Sequence, residues 1–291
     1  LKQGAIPFSY LQMPLSPTAT KELLLKLDHR PKKKLGQNFL IDGNIVQKSI
    51  AMAELRETMD VLEVGPGLGT LTEELLNHGQ RVHAVEFDAK LNGNLGERFA
   101  PSINQGKLQL TMGDAVKEPL GSISQDCLEY LVVANLPYAI SSAWMEALLA
   151  TQQLPKRMVL MLQKEAVERM WARPDGRNFN ALSVFLHGSF RLNGTHSVSR
   201  QCFYPVPQID SVLIRMDRLE KPYLFSDRSR ALIRKIFTQR RKQIGSLAKK
   251  EKPEIQEKLW DWLSQNDLPT TLRPEQIPSE AWRTLAESLK P

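Results

Sequence analysis

The sequence predicts an α/β protein in which a doubly wound parallel sheet is followed by a smaller helical domain. Three observations lead there. The chain has 291 residues, more than the about 100–200 of one ordinary domain. From about residue 60 short apolar runs alternate with helical patterns, the rhythm of repeated β-α units. After Arg218 that alternation stops and the remaining segments carry helical spacing.

Taken in order, residues 1–15 hold Pro7 and Pro14 without periodicity and read as a flexible leader. Ser16 before Pro17 is an N-cap followed by proline at the first helical position, and Leu23, Leu24 and Leu27 give that helix an apolar stripe. Leader and helix occupy 1–30. The basic run Lys32-Lys33-Lys34 then leads into a loop, Leu35-Gly36-Gln37-Asn38-Phe39-Leu40. Strands are expected at 61–64, 81–85, 108–111, 130–134, 157–162, 185–192 and 212–216, and helices at 70–77, 88–99, 141–150 and 165–171, so the sheet domain spans 31–218. The helical domain, 219–291, holds helices expected at 227–250, 253–264 and 279–289.

Composition narrows the function classes. Apolar residues at 42% and charged residues at 24% suit a folded globular chain. A net charge of +7 attracts polyanions, nucleic acid first. Cys127 and Cys202 are the only cysteines, which gives no disulfide framework and no zinc-ligand spacing. A reducing, cytoplasmic setting and a metal-free site are expected. No run reaches the ~18 consecutive apolar residues of a spanning helix, and the first dozen residues lack the regions of a signal peptide.

The segment Glu63-Val64-Gly65-Pro66-Gly67-Leu68-Gly69 ends a strand and opens a helix. Gly65 and Gly67 there let a ligand approach the backbone. The loop lacks the Gly-Lys-Ser/Thr ending of a triphosphate loop. The next strand ends at Glu86, whose carboxylate can accept from two ribose hydroxyls, a geometry that serves NAD and S-adenosylmethionine equally. Met112-Gly113-Asp114-Ala115 closes the third strand at the same sheet edge, where Asp114 can accept from an adenine amino group or cap a turn.

Asn135-Leu136-Pro137-Tyr138 follows the fourth strand directly. An adenine amino nitrogen is a poor nucleophile because its lone pair is delocalised, and acceptors aimed at its two hydrogens weaken that conjugation. The Asn135 side-chain oxygen and the Leu136 carbonyl are the candidates, the latter held extended by Pro137. Tyr138 offers a face for base stacking, worth about 1–3 kcal/mol. Phe203-Tyr204-Pro205-Val206-Pro207-Gln208-Ile209-Asp210-Ser211 forms a stiff loop before the last strand, and Phe203 is a candidate to cover the base's other side.

Together with Gln37-Asn38-Phe39-Leu40, Leu162-Gln163-Lys164-Glu165, Leu182-Ser183-Val184 and Phe237-Thr238-Gln239-Arg240-Arg241-Lys242, these motifs make the chain resemble the ribosomal RNA adenine dimethylases over 34–242. The resemblance implies a Rossmann-like, S-adenosylmethionine-dependent methyltransferase domain that needs no metal. It places Asn38 and Leu40 at the cofactor beside Gly65, Glu86, Asp114 and Asn135, and Asn135, Pro137 and Tyr138 at the methyl acceptor; Gly67 at the cofactor and Leu136 and Phe203 at the acceptor complete the set from the residues themselves. The implied product is dimethyladenosine at two adjacent adenosines in a 3′-terminal hairpin of small-subunit ribosomal RNA, made on an assembling subunit. A monomer is expected because no long apolar stripe is left unassigned. Two stretches depart from the family pattern: Arg177-Asn178-Phe179-Asn180-Ala181, and Gln243-Ile244-Gly245-Ser246 after Lys242.

Between Arg228 and Lys252 ten basic residues face one acid, Glu251. Ile233, Ile236 and Phe237 give that helix an inward stripe, so its cations are expected to point outward toward phosphates. Lys33, Lys34, Arg234, Arg240, Arg241 and Lys242 are the expected RNA contacts. The competing readings are a resistance methylase acting on large-subunit RNA, a non-catalytic RNA- or DNA-binding factor on the same fold, and a small-molecule methyltransferase. Intact Asn135, Pro137 and Tyr138 speak against the second; the basic helices speak against the third.

Overall fold

The computed structural model of the chain describes residues 15–56 and 59–290. The expected leader, Pro7 and Pro14 included, lies outside the described residues apart from Leu15. Two compact units divide the chain: one takes 1–148, 153–164 and 192–217, the other 149–152, 165–191 and 218–291.

In the first unit, α1 (Pro17–Lys26) is capped by Ser16, whose hydroxyl accepts from the Ala19 N–H at 3.2 Å. A two-residue strand, β1 (Phe39–Leu40), leads to α2 (Gly43–Ala53). The β-α alternation then runs through β2 (Asp60–Val64), α3 (Thr70–Asn77), β3 (Arg81–Glu86), α4 (Ala89–Arg98), a short α5 (Ala100–Asn104), β4 (Leu108–Met112), β5 (Tyr130–Asn135), α6 (Ser141–Ala150) and β6 (Arg157–Gln163). Next along the chain come α7 (Lys164–Met170) and α8 (Ala181–Ser189), which fall in the second unit from Glu165 on, then β7 (Phe190–Val198), β8 (Phe203–Tyr204) and β9 (Ser211–Arg218).

The main sheet has the order β4-β3-β2-β5-β6-β9-β7. The first five strands are parallel, so β2, β3, β4 and β5 all end at one edge, with Val64, Glu86, Met112 and Asn135 as their last residues. Contrary to the all-parallel expectation, β9 runs antiparallel to β6. Such a reversed edge on a parallel sheet needs no crossover helix. β8 pairs separately with β1. Val61, Leu71, Leu75, Val133, Val159 and Met161 form the centre of one apolar core, and Leu23, Leu24, Phe39, Leu68 and Leu91 tie α1 to the glycine loop in a second cluster.

Residues 185–192, expected as a strand, are instead the end of α8 and the start of β7. The Asn180 side chain accepts from the Leu182 and Ser183 N–H groups at 2.9 and 3.3 Å, which starts a helix. Leu182 through Leu186 is buried at every position, Ser183 included, and a run without an exposed face looks the same in a buried helix as in a buried strand. That helix also moves a boundary. It packs on α9 (Asp227–Phe237) and α12 (Ser279–Ser288), so α8 belongs to the helical unit although it lies within 31–218.

The single helix expected over 227–250 is two: α9 stops at Phe237, and α10 (Ile244–Ala248) begins after a turn. Residues 238–243 contain no apolar side chain to continue the buried stripe. With α11 (Pro253–Gln265), these helices surround an aromatic row in which Phe237 lies 5.1 Å and Trp262 5.2 Å from Trp282. Trp282 is fully buried. Trp282→Ala should therefore cost about 3–5 kcal/mol, read from a urea unfolding midpoint; a loss below about 1 kcal/mol would mean that this row is not the unit's core.

Candidate active site

At the shared carboxyl edge of β2 to β5 lies a cavity of about 200 Å³, lined by the glycine loop, Glu86, Gly113-Asp114-Ala115, Asn135-Leu136-Pro137-Tyr138 and residues 35–40. All seven expected cofactor residues line it, as do Leu136, Pro137 and Tyr138. The fold thus gathers these residues around one cavity.

The glycines are required by contact as well as by conformation. Gly65 has φ +70°, and a Cβ there would meet Pro137 Cγ at 2.6 Å; at Gly67, φ +61°, it would meet the Phe39 ring at 3.1 Å. The Gly67 N–H donates to Glu86 Oε2 at 3.0 Å, and the Asp88 N–H donates to Glu86 Oε1 at 2.8 Å. Burial pushes the Glu86 carboxyl up, and these two N–H groups oppose it. Asp114 Oδ1 accepts from the Val116 N–H at 2.9 Å, so one oxygen holds the turn while the carboxylate still faces the cavity.

Glu63 is fully buried at the cavity wall and accepts from the Thr72 hydroxyl at 2.7 Å. Burial pushes its carboxyl from 4.5 up to about 8. Because the folded value is raised, the stability contributed by the neutral form is complete below 4.5 and is lost as pH rises through about 8. Glu63→Gln should remove that loss. Wild-type Tm should fall relative to the variant between about pH 5 and about pH 9; a constant difference would mean that Glu63 is already charged in the fold.

The segment before β1 forms the facing wall. Gln37 Oε1 accepts from the Lys32 N–H at 2.8 Å and lies 3.1 Å from His29 Nε2. The Lys32 ammonium donates to Asp88 Oδ2 at 2.6 Å. Burial raises the Asp88 carboxyl, but Lys32 and His29 outweigh it and the net shift is downward. Gly36 brings this wall against the acceptor motif, since a Cβ there would lie 2.9 Å from the backbone nitrogens of Tyr138 and Ala139. The Asn38 carbonyl, in turn, accepts from Asn135 Nδ2 at 2.9 Å. Only the NH2 half of the amide can face a carbonyl, so this bond fixes Asn135 Oδ1 as the outward acceptor, and Oδ1 has no partner among the described residues. The Tyr138 hydroxyl lies 2.6 Å from Ser211 Oγ, which sets its ring, and burial raises its pKa.

A family model described as ribosomal RNA adenine dimethylase matches residues 28–283. The chain belongs to the ribosomal RNA adenine dimethylase family. It is 45% identical to a ribosomal RNA small subunit methyltransferase A of Opitutus terrae over 94% of this chain and 98% of that one. It is 34% identical to the protein of the same name from Anoxybacillus flavithermus, over 95% and 96%. Among solved structures it resembles a dimethyladenosine transferase of Plasmodium falciparum, with TM-score 0.67 and 25% identity over 85% of this chain and 95% of that one.

Other expected residues of this dimethylase-family chain sit differently. Phe203 is a correction: its ring is fully buried in the apolar core beneath β5 and β6, because β8 pairs with β1 through Leu40, and it does not line the cavity. Tyr204 beside it is half-buried under the Lys21 ammonium, 5.5 Å from the ring centre. Lys33 and Lys34 are exposed on a short turn, and Arg241 and Lys242 are exposed too, with the Lys242 ammonium 2.9 Å from Gln239 Oε1. Arg234 lies over the Phe185 ring, and Arg240 donates to the Phe179 carbonyl at 3.0 Å and pairs with Glu275 at 3.3 Å. The cations of α9 do not all point outward: Arg230 is 6% exposed and pairs with Asp227, because α9 buries it beside Ile233.

The sequence reading gave no role to Phe87, Ser211 or the Gln37-Lys32-Asp88 set. Phe87 is 60% exposed at the cavity rim. An apolar ring beside the Glu86 carboxylate was a readable signal; the other contacts join positions remote in sequence. Among the described residues no group of three His, Cys, Asp or Glu could hold a metal, and no helix is long and apolar enough to cross a membrane.

Proposed function

We propose that this chain dimethylates the exocyclic amino group of two adjacent adenosines in the 3′-terminal hairpin of small-subunit ribosomal RNA, using S-adenosylmethionine. The observation that carries the reading is the Asn38–Asn135 hydrogen bond, which leaves an amide oxygen facing the cavity beside Pro137 and Tyr138. The cavity residues fit the cofactor: Gly65 and Gly67 leave room at the backbone, Glu86 takes the ribose hydroxyls and Asp114 the adenine amino group. When bound, the cofactor supplies a methyl group already activated on a sulfonium.

The protein's part is alignment. Asn135 Oδ1 and the Leu136 carbonyl accept the two amino hydrogens, turning the nitrogen lone pair away from the ring and toward the methyl carbon. With the cofactor bound, the amino nitrogen would take its methyl group in exchange for one amino proton, which would leave to solvent. Tyr138, held by Ser211, stacks on the base. Lys33, Lys34, Arg241 and Lys242 meet phosphates, while Arg234 and Arg240 become available only if their partners release them. The chain works as a monomer in the cytoplasm on an assembling subunit.

Tritiated methyl transfer to small subunits lacking the modification, with nucleoside analysis, tests this. Dimethyladenosine on small subunits alone is expected. Label on large-subunit RNA would reassign the chain as a resistance methylase, and binding without transfer would make it a non-catalytic factor.

A further inference from the structure

The Leu162-Gln163-Lys164-Glu165 motif has no role in the site as described, yet the sheet carries its glutamine to the acceptor edge. Residues Met158 through Leu162 of β6 are buried and apolar, and the strand then ends on Gln163, half-buried. Its amide makes no hydrogen bond among the described residues, leaving two donors and an acceptor unused in a partly desolvated place.

Register fixes which face it occupies. Asn135 pairs with Met161 in the parallel ladder, and Gln163, two residues on, lies on the same face as both. Across the antiparallel ladder Gln163 stands opposite Ser211. Directly opposed residues have Cβ atoms about 4.5–5.5 Å apart. Ser211 is the residue whose hydroxyl holds Tyr138. Asn135, Gln163 and Ser211 therefore share one face at one edge, and Ser211 links that face to the Tyr138 hydroxyl.

We propose that Gln163 reads the methyl-acceptor base by donating an amide N–H to an adenine ring nitrogen next to the amino group, N1 or N7. The inference rests on the adenine methylase reading above. Asn135 accepts from the amino group, and Gln163 donates to its neighbour in the ring; a primary amide and adenine are complementary in this sense. Guanine fails both contacts if N1 is the atom read, since it carries a hydrogen at N1 and an oxygen at C6.

The test uses the full chain and small subunits reconstituted around RNA bearing adenosine, 1-deazaadenosine or 7-deazaadenosine at the methylated positions. Single-turnover methylation is measured for wild type, Gln163→Ala and Gln163→Glu, the last keeping the side chain's shape while losing its donors. Wild type should slow by about fivefold to tenfold on one of the two analogues, the size of one lost hydrogen bond. Both variants should slow by a similar factor on adenosine and be indifferent to that analogue, with unchanged cofactor affinity and melting temperature. A variant that keeps wild-type rate on adenosine, or that the analogue slows as much as it slows wild type, would overturn the proposal; so would a wild type blind to both analogues. Wild type producing no dimethyladenosine on unsubstituted subunits is a distinct result that removes the methylase reading and this inference with it.

Discussion

Asn135→Ala should lower the methyl-transfer rate by about 100- to 1000-fold, the loss that follows removal of one preorganised polar group at a reacting centre, while RNA affinity stays within about twofold. Asn135→Asp separates two explanations for that loss. If Asn135 works as an oriented amide, aspartate fails as badly as alanine, because a carboxylate oxygen would face the Asn38 carbonyl where Nδ2 now donates at 2.9 Å. If instead a base were needed, aspartate would retain activity. Rates measured at saturating cofactor, beside RNA binding by filter retention, decide between them, and a parallel loss of RNA binding would undermine the assigned role.

Gly65→Ala should abolish most activity by another route. Its Cβ would stand 2.6 Å from Pro137 Cγ and 2.9 Å from Cδ, atoms of a stiff ring in the acceptor motif. Cradle and acceptor site touch here, so the substitution moves both, and cofactor affinity and rate should each fall at least about tenfold. Gly79→Ala is the control. Gly79 has φ +74° but nothing within 4 Å of its Cβ position. It should show the backbone penalty of about 1–2 kcal/mol in stability with activity unchanged. Equal activity for the two variants would place the importance of Gly65 in conformation alone.

Much of the unit-one fold was legible because its signals are local. The run from β2 to β6 alternates apolar strands with helices, and the helices at Thr70–Asn77 and Ser141–Ala150 fall where periodicity puts them. The place of Asn135-Leu136-Pro137-Tyr138 was legible for a similar reason: the motif directly follows an apolar strand and so falls at that strand's carboxyl end, on the cavity. What stayed hidden depends on neighbours that no local pattern names. Burial of Phe203 is decided by β1, and pairing of Arg240 with Glu275 needs two side chains 35 positions apart along the chain to meet. A backbone carbonyl such as that of Asn38 leaves no mark in the sequence at all. The helix over 185–189 was lost to a period that a uniformly buried run cannot display.

The bonds that finish the site have a consequence for the order in which the protein comes into being. Asn38 and Asn135 are 97 positions apart, and Tyr138 and Ser211 a further 73. Contacts this distant cannot form until the intervening chain has been synthesised and its loop-closing entropy met. A growing polypeptide released before Asn135 would lack the oriented amide, and one released before Ser211 would still lack a fixed aromatic ring although its glycine turn and much of its sheet sequence were already made. Methyl transfer is thus available only to a chain in which Asn38 and Tyr138 have found partners made long after them, which makes activity a readout of completed folding.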